Sequence, residues 1–367
     1  MAGSSYGTIF RITTWGESHG PAVGAVVDGC PAGLALSEAD IQKYLDLRKP
    51  GQSAFSTPRK EADLVEILSG VFEEKTTGTP ISLLIRNTSA RSADYSQIAE
   101  IYRPGHADYT YDQKYGFRDY RGGGRSSGRE TAGRVAGGAV ALRFLEDLGV
   151  NITAWVSSIG PVTADPARFD AEEIFRNPLC MPDAQAATQA AAYLEECKKA
   201  GDSAGGIIEC EITGLPAGIG DPVFEKISAN LAKAICSIGA VKGFEIGDGV
   251  AAARSKGSEN NDPFCIGDDG KPAKSSNHAV VILGGMSGGS PLLFRCAIKP
   301  TPSISAQQKS ITRAGKETEV SIHGRHDPVI APRAVIVVKA MAALAIADAM
   351  LLGMGARMDN VKKFYQQ

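Results

Sequence analysis

The residues with the clearest chemical potential form one run, Arg121-Gly122-Gly123-Gly124-Arg125-Ser126-Ser127-Gly128-Arg129-Glu130. Seven of these ten residues are glycine or arginine, a composition that suits no hydrophobic core. Consecutive glycines adopt positive φ without strain and let a ligand approach the backbone closely. Ser127 and Glu130 have the spacing of a capping box, which predicts a helix from Ser127 to Leu148. The unpaired N–H groups and positive dipole end of such a helix attract an anion. Arg121, Arg125, Arg129 and Arg134 surround that end with planar forks that match phosphate or carboxylate. The run reads as an anion site; a flexible loop with solvated arginines is the alternative.

The five histidines stand at 19, 106, 278, 323 and 326. His19 lies in Gly16-Glu17-Ser18-His19-Gly20 and His106 in Arg103-Pro104-Gly105-His106-Ala107-Asp108. Glycines and a Pro-Gly turn present both on loops, where a histidine can move a proton near neutral pH. Capping a turn is the bland role for each. His323 and His326 flank Gly324-Arg325 and precede Asp327. They lack a third ligand at usable spacing, and Arg325 repels a cation, so a metal is not expected. Ser18-His19 are sequence neighbours without a G-x-S-x-G elbow, which disfavours a serine hydrolase. No Walker motif or dinucleotide fingerprint is present. Lys299-Pro300-Thr301-Pro302-Ser303 leaves a predicted strand into a rigid turn that offers an ammonium and two hydroxyls to a phosphate or a polar ring edge.

The rest of the chain must position these groups. Its 367 residues are 43% hydrophobic and carry a net charge of −2, which argues against a general nucleic-acid or membrane-surface binder. Between Arg103 and Arg134, seven Lys/Arg stand against four Asp/Glu, pointing to a small anionic ligand. Seven scattered cysteines without a C-x-x-C pair fit reduced thiols and a cytoplasmic location. No secretory h-region opens the chain. The apolar stretch from Ala331 to Met354 contains Arg333, Lys339 and Asp348, which predicts a buried helix rather than a membrane span.

Strands are expected at Ala22–Asp28, Leu64–Phe72, Ile81–Arg86, Val150–Val156, Gly206–Thr213, Ala279–Leu283 and Leu292–Ile298. Helices are expected at Ser37–Leu47, Ser127–Leu148, Ala184–Lys199, Asp221–Ser237 and Pro332–Leu352. Asp221 is the expected N-cap of its helix, with Pro222 first and Phe224 on the buried face. Arg254–Asn277 and Gln307–Val320 read as loops, the first a candidate lid. Similar segments recur in the same order: Gly29-Cys30-Pro31-Ala32-Gly33 with Gly214-Leu215-Pro216-Ala217-Gly218, Gly78-Thr79-Pro80 with Gly289-Ser290-Pro291, and Gly124-Arg125 with Gly324-Arg325. Duplication of an α+β unit explains the order; chance recurrence of Gly/Pro turns is the other reading.

The Gly16–Gly20 motif running to Val27-Asp28-Gly29, the Arg103–Asp108 segment and the Arg121–Arg134 run resemble the chorismate synthase family. So do Ala240-Val241-Lys242-Gly243 with Glu245-Ile246-Gly247, Ser276-Asn277-His278, the Lys299 turn, and Gly324-Arg325-His326-Asp327-Pro328. The resemblance implies an α+β fold, a β-α-β sandwich of two similar halves. It implies a single domain over 1–367 with halves at roughly 1–150 and 206–367, assembled as a homotetramer. It further implies conversion of 5-enolpyruvylshikimate 3-phosphate to chorismate by 1,4-elimination of phosphate, with reduced FMN as cofactor. By the resemblance, His19 protonates the departing phosphate, His106 protonates the flavin edge, and Asp327 with Ser18 relays a proton. Arg125, Ser126, Ser127, Gly239, Ala240, Gly284, Lys299, Pro300, Thr301, Pro302, Ser303 and Arg325 become flavin contacts. Arg48, Arg129 and Arg134 become substrate-anion ligands.

Two positions depart from the family pattern. Ala54 replaces a second basic residue, with Lys49, Arg59 and Lys60 as neighbours able to compensate, and Lys339 replaces a glutamate in the last long helix. No extra domain for NADPH-dependent flavin reduction is evident, so a flavin reductase or another source of reduced flavin is the expected partner, with no nucleic acid or membrane. A binding module for a sugar phosphate or nucleotide also fits the basic glycine loop, but leaves His19, His106 and Asp327 without a purpose. A phosphotransferase would need a metal-phosphate motif that the chain lacks.

Overall fold

The structure is a computed structural model that describes residues 3–51, 55–56, 61–88, 99–267, 270, 272–278, 282–322 and 327–366. Its first antiparallel sheet contains β1 (Ser5–Tyr6), β2 (Arg11–Gly16), β3 (Ala22–Asp28), β4 (Val65–Ile67) and β7 (Ile81–Arg86), in the order β1-β2-β3-β7-β4. Helix α1 (Glu38–Arg48) follows β3, and the hairpin β5 (Val71–Phe72) and β6 (Lys75–Thr76) precedes β7. After β7 come α2 (Asp108–Tyr115) and the long α3 (Thr131–Asp147).

The second sheet repeats this plan. β8 (Asn151–Ile159) and β9 (Val162–Thr163) lead through α4 (Ala184–Lys199) to β10 (Gly206–Thr213). β10 feeds α5 (Ile227–Cys236), and β11 (Val241–Ile246) follows. Then come α6 (Gly257–Asn260) and the hairpins β12 (Phe264–Ile266) with β13 (Pro272–Lys274) and β14 (Ile282–Leu283) with β15 (Met286–Ser287). β16 (Leu292–Ile298) enters the middle of the sheet, giving the order β11-β16-β10-β8-β9. The hairpin of β17 (Gln308–Ile311) and β18 (Glu317–Val320), the long α7 (Ala331–Gly353) and α8 (Met358–Tyr365) complete the chain. The order β2-β3-β7-β4 therefore matches β8-β10-β16-β11, with a helix and a hairpin inserted at equivalent steps.

Helices α3 and α7 pack on each other between the sheets, α3 against β2, β3 and β7, and α7 against β8 and β10. Glycines set their depth. A Cβ on Gly133 would lie 2.6 Å from the Gly24 carbonyl oxygen, and one on Gly138 would lie 2.5 Å from the Ala340 Cβ. One side of α3 thus touches sheet backbone while the other touches α7. Helix α7 is long and apolar enough to cross a membrane, yet 78% of its apolar window is buried, as expected for a core helix. Lys339 reaches from α7 to sit over the Tyr44 ring at 5.5 Å, and Tyr44 donates to Glu146 at 2.7 Å. Asp348 is buried and accepts from the N–H groups of Thr8, Ile9 and Phe10, fixing the N-terminal turn to α7.

Several elements differ from the sequence expectation. The helix expected from Asp221 begins at Ile227. Val223 is in the left-handed region, Phe224 is 85% exposed, and the Ile227 N–H bonds to Gly285 of the β14–β15 hairpin, so tertiary hydrogen bonding replaces the first turns. Leu64–Phe72 breaks into β4 and β5 around Gly70 at φ +82. Gln307–Val320 is a hairpin, and Arg254–Asn277 contains α6 and the β12–β13 hairpin. β2 and β11 have no counterpart among the expected strands. Of Ala279–Leu283, residues 279–281 lie outside the described residues.

Gly138→Val should destabilise the protein by about 1–3 kcal/mol or more, because the added methyls have no room against α7. Urea unfolding of the variant checks this; an unchanged midpoint would contradict the close α3–α7 contact.

Candidate active site

Three loops far apart in sequence are linked to the glycine run directly or through one another. The first is the turn between β2 and β3, which carries Ser18 and His19. Gly122 is pressed against it: a Cβ there would lie 2.6 Å from His19 Cδ2 and 2.9 Å from Ser18 Oγ. The glycine is required by this close approach. Arg125 locks the same contact from below, donating to the Gly16 carbonyl at 3.0 Å, the Thr14 carbonyl at 3.1 Å and the Thr14 hydroxyl at 2.6 Å. Arg121 pairs with Asp119 at 2.6 Å. Hydrogen bonding to Arg121 holds the Asp119 carboxyl below its ordinary range, with a smaller contribution from nearby His19.

The second and third loops interlock. Gly105, at φ +71, lies against Pro302, and its carbonyl accepts from Lys299 Nζ at 2.9 Å. His106 Nε2 is 2.7 Å from the buried Ser303 hydroxyl. Lys299 itself receives the Ala240 carbonyl on its main-chain N–H, so Gly239-Ala240, with Ala240 at φ +74, stand beside the turn. Burial, followed by the charge of Lys242, pushes the Lys299 ammonium down from its ordinary value. The Thr301 hydroxyl is buried without a hydrogen-bond partner among the described residues. Arg103 grips Asp108 through two side-chain bonds of 2.8 and 2.7 Å, and Arg118 adds a third contact at 3.1 Å. Burial raises the Asp108 carboxyl, but these arginines outweigh it and hold it below the ordinary range.

A cleft of about 450 Å³ opens between the glycine run, Glu17 and the Arg103–Asp108 loop. His106, Gly122–Ser126, and the rings of Tyr111, Tyr115 and Phe117 line it. Within the loop, Ser126 donates to the Gly123 carbonyl, and Ser127 caps the N–H of Arg129. The expected capping box is not formed. Residues 128–130 make a 3-10 turn, α3 starts at Thr131, and Glu130 instead accepts from Thr14 and Arg134 at 2.8 Å each.

Two of the three expected substrate arginines, Arg48 and Arg129, form a second cluster. Asp63, whose side chain is fully enclosed, accepts from Arg48 Nη1 at 2.5 Å and from Arg129 Nη1. Arg48 also donates to Thr131 Oγ1 at 3.1 Å and the Gly128 carbonyl at 2.8 Å, so all three of its nitrogens are engaged. Burial pushes its guanidinium down to about 10, opposed by Asp63 and reinforced by Arg333 and Arg129. Arg129 further donates to Asn87 Oδ1 at 2.8 Å. Asn87 Nδ2 then donates to the Glu17 and Gly20 carbonyls at 2.9 and 2.8 Å, clasping the turn that holds Ser18 and His19. Asp327 accepts from Arg333 at 2.6 Å near the Arg48 backbone. Arg134 is held by Glu130 and Ser237, and Gly284, at φ +62, forms the β14–β15 turn. Arg325, His323, His326, Ala54, Arg59 and Lys60 lie outside the described residues.

Sequence reading missed Asp63 and Asn87. Each is a single polar residue without a motif; its meaning comes from which arginine reaches it in three dimensions.

A family model described as chorismate synthase matches residues 10–351. The chain belongs to the chorismate synthase family. It is 64% identical to the chorismate synthase of Agathobacter rectalis and 62% identical to that of Lachnoclostridium phytofermentans, each over the full length of both chains. The chorismate synthase of Methanocella arvoryzae is 55% identical, with 96% of this chain and 95% of the relative covered. A solved chorismate synthase crystal structure superposes with a TM-score of 0.77 at 33% identity, covering 98% of this chain and 97% of the other. The enzyme is accordingly a lyase of aromatic amino-acid biosynthesis, with the α+β fold of this family.

Two measurements test the site's framework. Asp63→Ala leaves Arg48 buried without a counter-charge and should cost about 3–5 kcal/mol in chemical denaturation. The Asp108 carboxyl is lowered on folding, so its contribution is complete above an unfolded value of about 4 and is lost as pH falls through the lower folded value. Asp108→Asn should therefore lower stability at pH 6 while flattening the acid limb of the stability profile. An unchanged slope between pH 4 and pH 2 would contradict the pairing.

Proposed function

We propose that the enzyme converts 5-enolpyruvylshikimate 3-phosphate to chorismate at this cleft, with reduced FMN as its cofactor. The carrying observation is that His106 and the glycine loop line one aromatic-walled opening, while Gly122 is pressed against Ser18–His19 and His106 is bonded to Ser303 of the Lys299 turn. The residues fit a flavin. The unpartnered Thr301 hydroxyl supports this fit by offering a polar contact beside Lys299, and the glycine loop leaves backbone open to a planar ring. Arg125, Ser126, Ser127, Gly239, Ala240, Gly284, Lys299, Pro300, Thr301, Pro302, Ser303 and Arg325 are the proposed cofactor-binding residues. When bound, the reduced flavin supplies electron density to an allylic system that is losing phosphate.

The chain's own groups bind, orient and move protons. The reaction breaks the C3–O bond to phosphate and the C6–H bond, and forms a new ring double bond, without net oxidation. His19 donates a proton to the departing phosphate. His106, oriented by Ser303, holds a proton at the flavin edge. Asp327 accepts a proton, with Ser18 in the relay. Arg48, Arg129 and Arg134 bind the substrate anions. Because Asp63 and Glu130 already hold these arginines, substrate must share or displace those contacts. The enzyme is further proposed to be a cytoplasmic homotetramer supplied with reduced flavin by a reductase or another external source.

Turnover of 5-enolpyruvylshikimate 3-phosphate is expected anaerobically with dithionite-reduced FMN and not with oxidised FMN. His19→Ala and His106→Ala should each lower kcat by about 10²–10⁴-fold while flavin still binds. Tight flavin binding without turnover by the unaltered enzyme would overturn the assignment.

A further inference from the structure

One ion pair at the mouth of α7, Asp327 with Arg333, is not among the residues that line the cleft. Arg333 Nη1 donates to Asp327 Oδ2 at 2.6 Å, and its Nε donates to the Arg48 carbonyl at 3.3 Å. The two side chains are only 24% and 11% exposed. Asp327 is not the cap of α7, since Ile330 holds that position, so helix capping does not account for the pair. The segment after it is pinned as well: the Pro328 carbonyl accepts from the Ala204 N–H at 2.9 Å. Arg333 therefore reaches back six residues from the first turn of a rigid core helix to hold one carboxylate oxygen.

We propose that Arg333 is the positioning residue for Asp327 as proton acceptor, an inference that rests on the role given to Asp327 above. Two features of the geometry carry it. Fixing Oδ2 sets the plane of the carboxylate, and hence the direction from which Oδ1 accepts a proton. The second bond of Arg333, to the Arg48 carbonyl, keeps the fork in place, so little order must be created when the proton arrives. In the step itself the bond between the proton and its donor breaks, with the electron pair staying on the donor. An O–H bond forms on Asp327, which becomes a neutral carboxylic acid beside Arg333. No oxidant or reductant takes part.

The bond to Arg48 gives the pair a further consequence. Arg48 closes the Asp63 cluster, which reaches through Arg129 and Asn87 to the Ser18–His19 turn. The proposed acceptor and donor of protons are thus registered to each other through one continuous polar framework.

The test compares Arg333→Gln, Arg333→Lys, Asp327→Asn and the double variant Arg333→Gln/Asp327→Asn. Arg333→Gln should lower kcat by about 10–100-fold, the range lost when a group orienting another is removed. Substrate KM and flavin Kd should stay within about threefold, and Arg333→Lys should recover part of the rate by keeping the charge without the fork. In the ligand-free protein, the thermal-stability loss of the double variant should be smaller than the sum of the two single losses, because either substitution breaks the same bond. A kcat for Arg333→Gln within twofold of the unaltered enzyme, with Asp327→Asn strongly impaired, would overturn the proposal. Additive stability losses, or equal loss of binding and rate, would do the same. Full activity of Asp327→Asn would instead remove the reading of Asp327 on which the proposal stands.

Discussion

Everything near the cleft depends on one buried carboxylate. Asp63 sits between Arg48 and Arg129 with its side chain closed to solvent. Its backbone is in the left-handed region at φ +50, which costs a non-glycine residue energy and persists only where surroundings enforce it. The arginines supply that enforcement. Arg48 brings the end of α1 and the Gly128–Thr131 turn, while Arg129 brings Asn87 beyond β7. A buried ion pair is weak evidence for net stability, because desolvation offsets much of the attraction. Here its value is geometric: it fixes where the glycine loop ends relative to the turn that bears His19.

The fold around this point was legible where local and tertiary preferences agree. Ala22–Asp28, Ile81–Arg86, Gly206–Thr213 and Leu292–Ile298 are strands with the bounds their patterns suggest, because they are central strands bounded by turn residues. The helix expected at Asp221 fails for the opposite reason. Asp-Pro is a good local start, but the hairpin carrying Gly285 offers Ile227 a better partner, so the preceding residues form a turn and Phe224 faces solvent. β2 carries a weak signal because only Ile12 and Thr14 are buried along it, and Trp15-Gly16 leads straight into the turn that bears His19.

The site was legible as a set of loops and illegible as a set of contacts. Histidines between glycines and a lysine before prolines announce presented groups, and the structure brings His106, Lys299 and Ser303 together across almost two hundred residues of chain. No spacing rule links Asn87 to the Glu17 and Gly20 carbonyls, because the link is created by the β3–β7 pairing that sets the two chain segments side by side. The matched strand order of the two sheets explains why such convergence is available. Each half ends β7 or β16 in a loop before its long helix, so the loop with His106 and the loop with Ser303 leave equivalent positions.

Counting charge along the chain gives a misleading picture of the field in the cleft. Seven basic residues between Arg103 and Arg134 suggest a strongly cationic surface. In the folded protein most are already answered: Arg103 and Arg118 by Asp108, Arg121 by Asp119, Arg129 by Asp63 and Arg134 by Glu130. Arg125 spends its donors on the Gly16 and Thr14 carbonyls. An anion entering here meets guanidinium groups that are held in place and partly neutralised, rather than mobile ones. Such groups lose little conformational freedom on binding, and their remaining charge acts in a cleft partly screened from water, where a fixed dipole or charge has more effect than on an open surface. The arginines that looked like ligands in the sequence are therefore equally the beams of the frame, and the acidic residues that hold them determine how much attraction is left for a ligand.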